Sequence, residues 1–304
     1  SKGKDAALES VEMVKEAVSD ADLIFVTAGM GGGTGTGAAP VVAQIAKETN
    51  PGALVIGVVT RPFRFEANVR AEQAQAGIQE LRKHADCVLV IPNDRILSVA
   101  DRDTSSEDAY RMADEVLRQA IQGISDVITR GGAINVDFQD VKKIMTKSGE
   151  ALIGIGRSAG EDRHIEAAKA AVHSPMLENA VIDGAKGILV NFTSSRDIKI
   201  VEVDEAMEYI IKHANPDVFI KYGQAFDESL GDELMITVIA TGFPSNRGEL
   251  AGDLGRRRAM AAGGKRQRRL ADDFMPEEGA PAVREEDLEK PAYLRRQSGT
   301  RRLK

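Results

Sequence analysis

Leu23-Ile-Phe-Val-Thr27 is a short apolar run. It leads through Ala28-Gly29-Met30 into Gly31-Gly32-Gly33-Thr34-Gly35-Thr36-Gly37. The apolar run suits a buried parallel strand. Beyond the glycines, Ala38-Ala-Pro40-Val-Val-Ala-Gln-Ile-Ala-Lys47 reads as a helix, with Pro40 tolerated in its first turn. Glycines let a backbone approach a phosphate closely and adopt positive φ. A helix beginning beyond Gly37 presents free N–H groups and the positive end of its dipole, and Thr34 and Thr36 add hydroxyl donors. The loop therefore reads as a di- or triphosphate site. A turn without a ligand needs one or two glycines, not this run. The rival reading is a dinucleotide-binding turn, which Gly33-Thr-Gly35-Thr-Gly-Ala38 only approximates. No acidic residue ends a following strand about 20 residues on, where a ribose would want it. Nor does a lysine follow Gly37 as in a P-loop, so backbone N–H groups must carry the phosphate.

Outward from this loop, strand and helix alternate. Residues from about Ala6 to Val18 read as one amphipathic helix. Ala53–Thr60 and Cys87–Ile91 read as buried strands, with a helix from about Ala71 to Lys83 between them. That is the spacing of a doubly wound α/β sheet. A long helix follows from Thr104 to about residue 128. Thr104-Ser-Ser-Glu107 forms its expected capping box, and Tyr110, Ala113, Leu117, Ala120, Ile121, Ile124 and Ile128 form its apolar stripe. Strands are then expected at Ala151–Ile155, Gly187–Phe192, Ile198–Val203, Val218–Ala225 and Leu234–Thr241. Helices near His164–His173 and Asp204–His213 interleave with them, giving a second, α+β domain. The expected division is 1–128, 129–243, a disordered linker over 244–284 and a terminal peptide over 285–304. From Pro244 on, Gly, Arg, Ala, Asp and Pro dominate without an apolar period.

These motifs resemble the tubulin/FtsZ family of GTPases. Gly-Gly-Gly-Thr-Gly-Thr-Gly is that family's signature loop, and the context Ala28-Gly-Met-Gly…Ala-Ala-Pro40 is similar to FtsZ rather than to eukaryotic tubulin. The likeness continues through Thr60-Arg-Pro-Phe-Arg-Phe-Glu66, Ile91-Pro-Asn-Asp-Arg95 and Gly123-Ile-Ser-Asp126. The resemblance implies GTP/GDP binding by Gly31 to Gly37, with Gly35, Thr36 and Gly37 cradling phosphate. It implies ribose- and phosphate-side contacts from Glu66 and Arg70, and a base- or sugar-side contact from Asn93. Tyr110 takes the position of the aromatic that stacks on guanine, and Asp114 that of the residue that reads it. Residues i and i+4 share a helix face, and a carboxylate can accept both the N1–H and the exocyclic amino group of guanine. From the residues alone, the other readings stay open: Tyr110 as core, Asp114 as a solvated helix residue, and Glu66 with Arg70 as a surface pair.

Asn135-Val-Asp137-Phe-Gln-Asp140 follows the long helix. Its spacing alone is compatible with simple helix capping. The resemblance implies more: Asn135, Asp137 and Asp140 match the loop that one subunit inserts into the nucleotide site of the next. There the carboxylates orient water for attack on the γ-phosphate, with Mg²⁺ sharing the developing charge. Hydrolysis is then coupled to head-to-tail assembly, a contact that does not close and so builds filaments. The tail segment Asp287–Arg296 resembles the family's C-terminal peptide, which docks membrane tethers and regulators. Leu288, Pro291, Tyr293 and Leu294 supply its apolar anchors, and Arg295 and Arg296 its charge. The resemblance also places the protein in the cytoplasm, in a ring at the mid-cell division site. The family begins with further strand–helix units, so about 60 residues or more are expected ahead of Ser1. The piece beginning at Ser1 is expected to bind GTP poorly by itself. The alternative for such a piece is a non-hydrolysing capping or interaction module.

Composition fits this reading. The chain has 304 residues and a net charge of −7, which gives no overall basic footprint for nucleic acid. No apolar run approaches the ~20 residues that span a bilayer, so direct membrane insertion is not expected. A single cysteine, Cys87, excludes a disulfide framework. His84, His164, His173 and His213 show no ligand spacing, so no protein-borne metal cage is expected. The basic runs Arg256-Arg-Arg258 and Lys265-Arg-Gln-Arg-Arg269 read as solvated linker.

Overall fold

Strand β1 (Leu23–Gly29) pairs in parallel with β2 (Leu54–Arg61), and β2 pairs in parallel with β3 (Cys87–Pro92). β2 and β3 are buried along nearly their whole length because both faces are covered, whereas β1 alternates buried residues with half-buried or exposed ones. The computed structural model describes residues 2–243 except 99, 102, 131–133, 147 and 178–181. The linker and the terminal peptide, with Leu288, Pro291, Tyr293, Leu294, Arg295 and Arg296, lie outside the described residues.

The sheet continues past the expected boundary at residue 128. β3 pairs in parallel with β4 (Gly149–Ala159) through Cys87↔Gly149, Val88↔Glu150 and Leu89↔Ala151. Then come β5 (Gly187–Ser194), β6 (Phe219–Phe226) and β7 (Glu233–Thr241), giving the order β1-β2-β3-β4-β7-β5-β6 among the described residues. β7 runs antiparallel to both β4 and β5, while β5 and β6 are parallel.

Helices cover both faces. α1 (Lys2–Glu9) and α2 (Val11–Val18) break at Ser10, where one continuous helix was expected. They lie with α3 (Gly33–Thr49) and α4 (Asn68–His84) on one side of β1 to β3. After a short α5 (Asn93–Ile96), α6 (Ser106–Thr129) and α7 (Phe138–Met145) pack on the other side. There Ala120, Ile124 and Val127 join Leu54, Ile56, Leu89, Ile153 and Ile239 in one core spanning both halves of the sheet. Gly123 makes this possible: a Cβ there would stand 2.9 Å from Thr237 Cγ2. The N-cap of α6 is Ser105, which accepts from Asp108 N at 3.1 Å, one residue later than the expected box.

α8 (Arg163–Val172) and α9 (Ile200–Lys212) complete the second half. The strand expected at Ile198–Val203 is instead the start of α9. Its apolar residues alternate over a few positions, but Val203, Ala206, Met207 and Ile210 extend the pattern at helical spacing and are buried. Glu202 Oε2 accepts from Lys199 N at 2.8 Å, closing the first turn, and Glu202 Oε1 meets the buried Arg163 Nε at 2.8 Å. A non-local ion pair thus helps choose helix over strand. Cys87 is fully buried, and burial pushes its thiol up to about 12. Such a thiol is inert at neutral pH.

Candidate nucleotide site

The glycine run lies at the carboxyl end of β1, the edge of a parallel sheet where ligands bind. Its helix begins earlier than expected. Gly32 is the N-cap and Gly33 the first residue of α3, so only Met30 to Gly32 form the turn. The expected start beyond Gly37 is corrected because this run, despite its glycines, is held from both ends. Met30 N donates to Thr60 O at 3.0 Å, and Gly31 N donates to Thr36 Oγ1 at 2.8 Å. Thr36 therefore closes the turn, and its oxygen is already an acceptor. Pro40 is an interior residue of α3 rather than a first-turn one, and it leaves the Thr36 carbonyl without its usual helical donor.

Two glycines are needed for position rather than flexibility alone. Gly31 has φ +106°, and a Cβ there would stand 2.9 Å from the Arg70 carbonyl. A Cβ at Gly35 would stand 2.4 Å from the Gly29 carbonyl, so α3 starts as close to β1 as a backbone can. Gly32, Gly33 and Thr34 are exposed, and the first N–H groups of α3 have no intrahelical acceptor. These are the features of an anion cradle. A groove of about 600 Å³ beside it includes Gly32, Gly33, Thr36 and Gly37 but runs along the α3–α4 flank. Glu66, Arg70, Asn93, Tyr110 and Asp114 do not line it, so it is not the whole nucleotide seat.

The other expected residues gather around the loop after β2. Glu66 Oε2 pairs with Arg70 at 2.6 Å, and its Oε1 accepts from Phe63 N at 3.0 Å. Tyr110, at 43% exposure, meets the ring of Phe63 edge-on at 5.2 Å. Burial, together with the Glu66 carboxylate, raises the Tyr110 phenol. Tyr110 is thus neither core nor free, and it stands on the same helix face as the exposed Asp114. Asn93 is buried, and its Oδ1 has no hydrogen-bond partner among the described residues. A buried unpaired amide oxygen is costly, and a ligand donor would relieve it.

Three contributors had only weak signals in the sequence. Phe63 is 1% exposed and stacks on Phe65 at 4.9 Å, forming the floor under Tyr110. Asp94 binds Arg64 through both N (2.9 Å) and Nε (3.1 Å), tying α5 to the loop. Ala67, with φ +75° and ψ +156°, is the one non-glycine residue with positive φ among the described residues. It lies between Glu66 and the start of α4, in a region that costs an alanine about 1–3 kcal/mol. Ala67→Gly is expected to raise stability by about 1 kcal/mol, because relief of strain outweighs the added unfolded-state entropy. Chemical denaturation checks this, and a lower midpoint would contradict it.

The acidic loop sits elsewhere. Asp137 is the N-cap of α7, its Oδ1 accepting from Gln139 N at 3.2 Å. The capping read from spacing is therefore real, and it uses one of the two carboxylate oxygens. Asp140 pairs with Lys221 at 2.8 Å, and Asn135 is exposed. Further along α7, Lys142 Nζ reaches the Gly52 carbonyl at 2.6 Å, just before β2 begins. The glycine turn is tied to Thr60 at the other end of β2. The eight residues of β2 span about 26 Å, and the 24 residues of α6 about 36 Å. Within one chain the glycine cradle and the acidic loop are on opposite edges of the sheet.

A single sheet covered by helices on both faces, with this cradle at its carboxyl edge and a long helix behind it, defines a tubulin-like GTPase. The Tubulin/FtsZ family GTPase domain matches residues 1–101, and the FtsZ family C-terminal domain matches residues 149–244. An FtsZ dimer structure from M. jannaschii is 41% identical with a TM-score of 0.75, over 79% of this chain and 69% of that one. The chain belongs to the FtsZ family. CetZ from Methanosaeta thermophila shares the fold at 19% identity and a TM-score of 0.68, over 90% of this chain and 76% of its own. So does a CetZ from Haloferax volcanii, a GDP-bound monomer, at 19% identity and a TM-score of 0.66, over 80% and 73%.

Proposed function

We propose that this GTPase binds GTP at the Gly31–Gly37 cradle and hydrolyses it only where a second subunit supplies Asn135, Asp137 and Asp140. The observation that carries this is the separation of the two parts, with the phosphate cradle on one edge of the sheet and the Asp137 and Asp140 carboxylates on the other. Stacking subunits head to tail brings the two edges together. The contact is heterologous, so it propagates into a filament. Glu66 and Arg70 hold the ribose and phosphate side, Asn93 the base or sugar side, Tyr110 stacks on guanine and Asp114 reads it. The unpaired Asn93 oxygen and the close-approach glycines fit such a ligand.

Asp137 and Asp140 orient water toward the γ-phosphate. Among the described residues no three His, Cys, Asp or Glu side chains are grouped to hold a metal. Mg²⁺ needs only one or two carboxylates besides the phosphates. It would ride on the nucleotide, where it offsets negative charge.

In the cell, the filament forms a cytoplasmic division ring at mid-cell. The segment 285–304 recruits membrane tethers and regulators through Leu288, Pro291, Tyr293, Leu294, Arg295 and Arg296. The 41% identity to an FtsZ structure, against 19% to the CetZ structures, is what favours a division role over a CetZ-like one. In the full-length protein, phosphate release is expected to rise more steeply than linearly with protein concentration. Strict proportionality down to high dilution would overturn the shared site.

A further inference from the structure

β6 acts as a ruler for the acidic loop. Residues 219, 221 and 223 share one face of the strand, and each takes one point of the segment from Val136 to Lys143. Gly223 receives Val136: a Cβ there would stand 2.9 Å from Val136 Cγ2. Lys221 Nζ grips Asp140 Oδ2 at 2.8 Å. The Phe219 ring lies under Lys143 Nζ at 4.6 Å, with Lys221 Nζ at 5.6 Å. The backbone adds a fourth point, Gln224 N donating to Ile134 O at 2.9 Å. Arg130 joins Asp126 to Asp227 and closes the end of α6 against the same strand.

One pair in this array has a job beyond bracing. A loop carrying Asp137 and Asp140 must approach a triphosphate, and like charges repel. Lys221 offsets one of the two carboxylates at hydrogen-bond distance. Its side chain is 37% exposed and that of Asp140 33%, so the pair stays open to whatever docks on this edge. We propose that Lys221 is a positioning residue of the split site. It fixes the Asp140 carboxylate against β6 and lowers the repulsion between the acidic loop and the neighbouring subunit's nucleotide. This rests on reading the acidic loop as the donor half of the hydrolytic site.

The test uses the full-length protein with Lys221→Met, Lys221→Arg and Asp137→Asn, and with Lys221→Met combined with Asp140→Asn. Lys221→Met keeps the length of the stem and removes the charge. At low salt it is expected to raise the protein concentration needed for GTP turnover by about two- to fivefold, the range for a partly exposed ion pair. The gap should narrow at high salt, where screening weakens all the charges, and Lys221→Arg should restore the wild-type threshold. In the Asp140→Asn background, compared with Asp140→Asn alone and read as the protein concentration needed for GTP-dependent assembly because turnover is lost there, the same change should add nothing. A merely structural lysine would lower the melting temperature without a salt-dependent threshold. The proposal is overturned if Lys221→Met matches wild type at low salt, or if its effect persists unchanged with Asp140→Asn. Asp137→Asn reports separately on the underlying reading. If it leaves turnover intact, the donor-loop assignment fails; if it abolishes turnover while Lys221→Met is silent, only the role of Lys221 fails.

Discussion

Asparagine at both Asp137 and Asp140 is expected to cut GTP turnover of the assembled full-length protein by about 10²–10⁴-fold, the range for loss of a positioned general base. Asparagine is the right choice because Asp137 has two jobs. Its Oδ1 caps α7 through Gln139 N, and asparagine caps a helix as well as aspartate does. The fold should therefore hold while the negative charge is lost. Alanine at the same positions would remove the cap as well, at about 1 kcal/mol, and confound the result. The doubly substituted subunits keep an intact glycine cradle and should still bind GTP. Mixed with wild type, they should enter filaments and lower turnover per filament, because each presents an inert loop to its neighbour. Unchanged turnover in the doubly substituted protein would refute the shared site. Loss of GTP binding itself would show that the loop acts within its own chain.

Gly35→Ala is expected to be as damaging at the other edge. The added methyl group would lie 2.4 Å from the Gly29 carbonyl. Backbone atoms line that space, so nothing flexible can yield, and α3 must retreat from β1. The helix N-terminus would move with it, and the Gly31 N–H to Thr36 Oγ1 bond that closes the turn would stretch. Overpacking of this kind costs about 1–3 kcal/mol, and the displaced N–H groups would no longer converge on a phosphate. Nucleotide affinity should fall well beyond what the loss of stability explains. Gly52→Ala is the natural control, since it lies outside the cradle and a Cβ there meets only Asn50 Oδ1 at 3.5 Å. Titration with GTP beside a thermal melt separates the two effects. Equal affinity for Gly35→Ala and wild type would show that the close approach is not what shapes the cradle.

The chain itself announced the alternating strands, the glycine cradle, the long helix and the acidic loop. Each of those signals is local: apolar runs, a concentration of glycine, a 3.6-residue stripe, a spaced pair of carboxylates. Where non-local contacts decided the outcome, local pattern misled. Ile198–Val203 alternates like a strand, yet the ion pair from Glu202 to the distant Arg163 accompanies a helix. The start of α3 at Gly33 depends on bonds to Thr60 and between Gly31 and Thr36, which glycine content cannot announce. Neither composition nor periodicity places Tyr110 against the buried Phe63 ring, a contact made only in the folded chain. The positive φ of Ala67 and the grip of Lys221 on Asp140 leave no mark in composition or periodicity, and the second arises where segments far apart in the chain meet.

What the order of residues determined by itself was the set of chemical parts, since those depend on neighbours within a few positions. What only the tertiary structure decided was where the parts stand. Strand β2 and helix α6 are rigid spacers of roughly 26 and 36 Å, and their ends hold the cradle and the carboxylates apart. Distance between segments is set by how they pack, and packing is a property of the folded whole.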